Sequence, residues 1–170
     1  MPKVRLCKTA HSWNSRTIVK FYIIVALMHV TEFAIHKTLG IKLRPEGDAH
    51  ILTLPESPLL LNHLGTVHAG VQFMLAEACS GEFLIRHFGD NPLEVFAVLR
   101  ASNIKFRNPA NGELRASARF LESSRASAPD EFASRGRTFA SVFVEVSDAN
   151  DVVTMTGQYD WFLRRQTDPS

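Results

Sequence analysis

With 45% hydrophobic and 21% charged residues, the 170-residue chain is long enough to bury a full core in one domain without disulfide or metal staples. Its formal net charge of +2, carried by scattered Lys and Arg with no basic run interleaved with aromatics, argues against a nucleic-acid partner. The two cysteines, Cys7 and Cys79, form neither a CxxC pair nor a Cys/His metal spacing, so no metal is expected, and reduced thiols in a cytoplasmic protein are.

Residues 1–30 read as an extension. Lys3, Arg5, Lys8, Arg16 and Lys20 precede the first acidic residue, Glu32, and residues 21–28 are an unbroken apolar run. A positive flank ahead of a short apolar run is the outline of a signal peptide. The run falls well short of the roughly 20 apolar residues that a bilayer crossing needs, and no A-x-A cleavage pattern follows it. A packed or surface-lying helix is therefore expected rather than export, with membrane contact only if the segment is an anchor. Met28 is an alternative start of the chain.

A short helix is expected over residues 31–39, stopped by Gly40. Residues 41–54 read as two strands about the turn Pro45-Glu46-Gly47-Asp48, and residues 59–61 as a further short strand. From Thr66, read as an N-cap, to about Phe88 the chain has no proline and is apolar nearly all round, the mark of a helix buried on most sides. Beyond Pro92 the period becomes two. Ser102, Ile104 and Phe106 share one strand face, the turn Asn108-Pro109-Ala110-Asn111-Gly112 follows, and Leu114, Ala116, Ala118 and Phe120 share the next face. Residues 123–136 are rich in Ser and Ala and read as a loop with a helical turn. Ala140, Val142, Val144 and Val146, then Val153, Met155, Tyr159 and Trp161, line two closing strands. The sum is an α+β chain in which a curved antiparallel sheet wraps one long helix. One sheet covers only part of an apolar helix, and a second copy of the chain is the expected cover for the rest.

Glu77 is the residue out of place in that helix. Burying an unpaired carboxylate costs several kcal/mol or keeps it protonated, and its helical neighbours Phe73, Met74 and Gly81 offer it no partner. The helix start is equally distinctive: Asn62-His63-Leu64-Gly65-Thr66-Val67-His68-Ala69-Gly70 is polar and small amid apolar sequence. A helix N-terminus presents unpaired amides and a partial positive charge, and the small Ala69 and Gly70 would let a carbonyl approach them, as in an oxyanion hole. Ala69 and Glu77 lie eight residues apart, about 12 Å along a helix axis. One side chain does not bridge that distance. Two such helices packed antiparallel about a two-fold axis would bring Glu77 of one copy to the helix start of the other.

The run from Asn62 to Glu77 resembles the motif of the hot-dog-fold thioesterases of the phenylacetic-acid-degradation type, roughly N-x-x-G-x-x-H-G-G followed by a helix with Asp or Glu seven residues on. DUF4442-like acyl-coenzyme A thioesterases are part of the same resemblance, which spans roughly residues 33–163. It implies a hot-dog fold over residues 31–170, a homodimer or a dimer of dimers, and hydrolysis of an acyl-coenzyme A thioester with no cofactor beyond the coenzyme A of the substrate. Carried over residue by residue, Glu77 takes the acidic position, as general base on water or as nucleophile. The amides of Ala69 and Gly70 polarise the carbonyl, Asn62 helps bind it or the water, and His68 shapes the loop beside it. Gly65 and Thr66 would line the substrate's approach. Ala69 departs from the first Gly of the His-Gly-Gly run, and Glu77 stands where Asp is commoner. Lys105 and Arg107 share one strand face and would either meet the phosphates of coenzyme A or form a solvated face.

Two other readings stay open. His63 and Glu77 are fourteen residues apart, a spacing similar to that of the acid–histidine pair of hot-dog dehydratases, although the Pro-Gly of those enzymes is missing at the helix start. A non-catalytic domain that binds acyl-coenzyme A is the other, since fold does not fix function. Cys79, two residues beyond Glu77, points to another helix face and reads as core.

Overall fold

The structure is a computed structural model that describes residues 29–88, 95–125 and 127–166; the apolar run at 21–28, Cys7 and Pro92 lie outside them. A 3-10 turn, Val30–Glu32, leads into helix α1, Ala34–Leu39. Gly40 ends α1 at φ 78°, in the left-handed region that glycine enters without steric cost. Strands β1, Lys42–Leu43, and β2, Leu52–Leu54, form the expected hairpin. The long helix α2 runs over Ala69–Phe88. There follow β3, Val95–Phe106; β4, Leu114–Phe120; two short helices, α3, Glu122–Arg125, and α4, Ala128–Arg135; β5, Arg137–Ser147; and β6, Val153–Arg165.

The six strands form one antiparallel sheet in the order β1-β2-β4-β5-β6-β3. Helix α2 touches β2, β3, β4, β5 and β6, so the sheet curls around it: this is the hot-dog fold. The inward faces follow the period-two reading. Leu52 and Leu54 of β2 face Ala116 and Leu114 of β4, and Val142, Val144 and Val146 of β5 continue the same layer. All of these, with Leu75, Ala76 and Cys79 of α2, are fully buried. At about 1.5–3 kcal/mol for each large aliphatic side chain buried, this layer is the main favourable contribution to holding helix on sheet.

Three local expectations are corrected. Residues 59–61 are not a strand: Pro58–Leu60 is a 3-10 turn in which the Ser57 hydroxyl accepts the Leu59 amide, and Leu61 makes a single bridge to Val67. Proline at the first position of that turn fixes φ in the helical range. Residues 123–136 hold the two short helices instead of a loop with one turn. Helix α2 begins three residues after Thr66, because Thr66 is bonded into the loop that precedes it.

Strand β3 shows a register shift between Leu99 and Ala101. Leu99 pairs with Trp161 and Ser102 with Tyr159, so one extra residue lets two alternating sets, Val95-Ala97-Leu99 and Ser102-Ile104-Phe106, share one face of the sheet. Among the described residues, no strand lies beside the opposite edge of β3. On β6, Gly157 lies under the Tyr159 ring, and a Cβ there would stand 2.9 Å from Cε2. Gly157→Ala is therefore expected to destabilise the fold by about 1–3 kcal/mol, the usual cost of overpacking. Urea denaturation checks this through a lowered midpoint at an unchanged slope.

Candidate active site

The loop before α2 is closed on itself by Asn62. Its side-chain carbonyl accepts the amides of Leu64 (2.8 Å) and Thr66 (3.2 Å), and its Nδ2 donates to the Thr66 hydroxyl (3.0 Å). The Asn62 amide donates to the Thr66 carbonyl at 2.8 Å, and Gly65 turns the chain at φ 73°. Asn62, Gly65 and Thr66 thus build the loop, which is moored by Val67 N–H to the Ala110 carbonyl (2.9 Å) and His68 N–H to the Leu60 carbonyl (2.8 Å).

His68 caps the helix. Its carbonyl accepts the amides of Val71 and Gln72, and its Nδ1 accepts the Gly70 amide at 3.0 Å. An accepting Nδ1 requires a neutral ring with its proton on Nε2. Of the two amides expected at an oxyanion hole, Gly70 is therefore engaged by the neighbouring imidazole, while Ala69 has no partner among the described residues. His68, Ala69 and Gly70 are all exposed, and so is His63.

Glu77 stands two turns further along α2, on the wall of an apolar cavity of about 610 Å³ between α1, α2, β3 and β6. Its carboxylate has no hydrogen-bond partner among the described residues. Burial raises its pKa above the ordinary glutamate value, and the charge of His36 acts the other way without cancelling it. The backbone at this point is fixed to the sheet: Trp161 Nε1–H donates to the Ser80 hydroxyl (3.1 Å), which donates to the Glu77 carbonyl (2.7 Å).

Glu82, one turn and a half further on, is the contrast. It is 0% exposed, and it accepts from His29 Nδ1 (3.0 Å), the Val30 amide (3.3 Å) and Arg86 Nε (3.1 Å). A fully satisfied buried carboxylate is a structural clamp; an unpartnered one on a cavity wall is available for chemistry.

Three further groups have no marker in the local sequence pattern. His36 of α1 is buried, donates from Nδ1 to the Val30 carbonyl at 2.6 Å, and lines the same cavity as Glu77. The Tyr159 hydroxyl is buried without a partner, and burial together with the nearby Glu77 charge pushes its pKa up. Gln72 holds the Val67 carbonyl through Nε2 while its buried Oε1 has no partner. Such roles depend on contacts across elements distant in sequence, which no local pattern marks. Cys79 is core, as expected, and burial holds its thiol protonated. Lys105 and Arg107 are exposed at the end of β3, where Arg107 Nε donates to the Thr156 hydroxyl at 3.3 Å; neither lines the Glu77 cavity.

A carboxylate raised by burial destabilises the folded chain once it ionises. Glu77→Gln is accordingly expected to raise the melting temperature at pH 7. The gain should shrink as pH falls through the raised folded pKa and vanish below the ordinary glutamate value of 4.5, where both states hold the proton. Calorimetric melting of both proteins from pH 4 to 8 reads this directly.

A family model, the domain of unknown function DUF4442, matches residues 37–163. No curated protein matches. Among solved structures, a probable thioesterase of unknown function from Pseudomonas aeruginosa superposes with a TM-score of 0.67 at 24% identity, over 81% of this chain and 91% of that one. The PaaI protein of the E. coli phenylacetic acid degradation operon does so with 0.58 at 18%, over 80% and 86%. A Bacillus halodurans protein solved with coenzyme A gives 0.58 at 19%, over 89% and 93%. At these identities the likeness is one of fold.

Proposed function

The chain belongs to the DUF4442 family, and from that premise we propose that it hydrolyses an acyl-coenzyme A thioester to the free acid and coenzyme A. The observation that carries the reading is the Glu77 carboxylate, unpartnered on the wall of an apolar cavity. Glu77 takes a proton from water as the water oxygen attacks the thioester carbonyl, the carbonyl oxygen gathers negative charge, and the C–S bond breaks with the proton passing to sulfur. The alternative, direct attack by Glu77 to give an anhydride that water then opens, uses the same groups. The Ala69 amide at the positive end of α2 receives the developing oxyanion, with Gly70 joining it if the His68 ring swings away. A thioester is already activated, so a carboxylate, a water and these donors suffice, and no cofactor is called for.

The site is shared between two copies. The roughly 12 Å between Ala69 and Glu77 along α2 separates base from oxyanion donor within one chain. Supporting the dimer are the edge of β3, which has no neighbouring strand among the described residues, and the incomplete burial of Phe73, Met74 and Glu77 on α2. Lys105 and Arg107 lie beyond the cavity, toward the turn whose Ala110 carbonyl moors the loop before α2, and are assigned to the phosphates of coenzyme A. The coenzyme A held by the Bacillus halodurans relative is in keeping with that ligand class. Among the described residues no helix is long and apolar enough to cross a membrane; we place the enzyme in the cytoplasm.

Glu77→Ala is expected to lower thiol release by about 10²–10⁴-fold, the usual worth of a positioned base, while leaving the sedimentation coefficient of the dimer unchanged. Full activity in the purified variant would sink the assignment. Mixing unfolded Glu77→Ala with unfolded Gly70→Leu and refolding them together should restore about a quarter of wild-type activity, because random pairing gives half heterodimers with one intact site each. The pH profile of kcat/KM should rise with a midpoint above the ordinary carboxylate range, since the ionised form of Glu77 does the work.

A further inference from the structure

Resting on the thioesterase reading, we infer that the stripe of α2 from Glu77 to Ile85 is a ruler for a straight aliphatic acyl chain of about ten carbons, roofed by the residues before and within α1. The cavity borrows one face of α2, with positions 73, 74, 77, 78, 81, 84 and 85 on its wall. On the C-terminal side of Glu77, between the carboxylate and Leu84 and Ile85, the wall is formed by Ala78 and Gly81, so the helix surface there is a trough. From Glu77 to Ile85 is eight residues, about 12 Å of axis. An extended chain of single bonds advances about 1.2 Å per bond, the backbone's reach per residue divided by its three bonds, so the trough takes about ten carbons.

The chemistry of the walls excludes a polar tail. Among the described residues, His36 and Glu77 are the only ionisable side chains on the lining. His36 spends Nδ1–H on the Val30 carbonyl and Trp161 spends its indole N–H on Ser80. A hydroxyl or second carboxylate on the acyl chain would enter with little to bond to.

The roof is Phe33, Ile35 and His36, and it is clamped. Glu82 is fully buried and holds both His29 and the Val30 amide, while His36 ties α1 back to Val30. Unpinning this segment would leave the Glu82 carboxylate short of two of its partners, so the roof is held at a fixed height over the trough and the length of the chain beneath it is selected.

The test uses the full-length chain, a thiol-release assay over straight acyl-coenzyme A substrates from two to sixteen carbons, and calorimetric titration with the free fatty acids of four to sixteen carbons. In the wild type, kcat/KM and fatty-acid affinity should both peak near ten carbons. Gly81→Leu fills the trough four residues, about 6 Å, beyond Glu77 and should move both peaks to about five carbons. A Cβ at Gly81 meets Val30 Cγ1 at 3.6 Å and Trp161 at 3.8 Å, ordinary contacts, so Gly81→Ala keeps the fold and should give a smaller shift the same way. Ile35→Ala, at a position 51% exposed, should move the peaks to longer chains. Thiol release with a flat chain-length profile, or peaks that none of the three variants moves, overturns the inference and leaves the hydrolase reading standing. Fatty-acid binding that peaks near ten carbons and shortens in Gly81→Leu, without thiol release from any substrate, keeps the trough and removes the hydrolase reading. Neither binding nor release overturns both.

Discussion

The burial of α2 on the concave side of the sheet is the interaction on which the rest depends. A twenty-residue helix that is apolar on most sides finds no stable place in water, and the sheet supplies a curved apolar floor of Leu, Val and Ala from four strands. Curling around a helix leaves the sheet unable to close, so its edge strands β1 and β3 each lack a second neighbour among the described residues, and one stripe of the helix, on the β3 side, stays incompletely covered. Cavity, unpartnered carboxylate and open edge all lie on that uncovered side. The chemistry therefore occupies the place where the packing solution is incomplete.

Two glutamates five residues apart show how little separates structure from chemistry. Both sit in the same helix, Glu82 fully buried and Glu77 half-buried. Glu82 meets an imidazole, an amide and a guanidinium; Glu77 meets the apolar wall of the cavity. The difference comes from which face of α2 the segment at residues 29–39 crosses. The clamp at Glu82 brings His36 onto the wall that Glu77 shares, so the structural carboxylate shapes the surroundings of the other.

Much of this architecture was legible along the chain because it obeys short periods. Strands β4, β5 and β6 alternate as the inward residues Leu114, Val142 and Met155 and their neighbours predict, and the length and composition of α2 mark a buried helix. Glu77 stood out because a charge in such a run is costly. Helix α2 starts later than its cap pattern predicts because Thr66 has the chemistry of a cap but is claimed by Asn62, a competition between two local bonds that spacing does not rank. His36 and Tyr159 carried no signal at all: one looks like a surface-helix histidine, the other like one more inward strand residue. Their place beside Glu77 arises only when β6 and α1 close on α2.

Trp161 has a use of another kind. Its indole forms part of the cavity wall, rests against Gly81 and donates to Ser80, so its ring is 7% exposed yet faces the volume a ligand would fill. Indole emission responds to the polarity and the hydrogen bonding around the ring. The protein therefore carries a native optical reporter in the wall of its own site, able to register the arrival of a molecule whether or not any bond is subsequently broken.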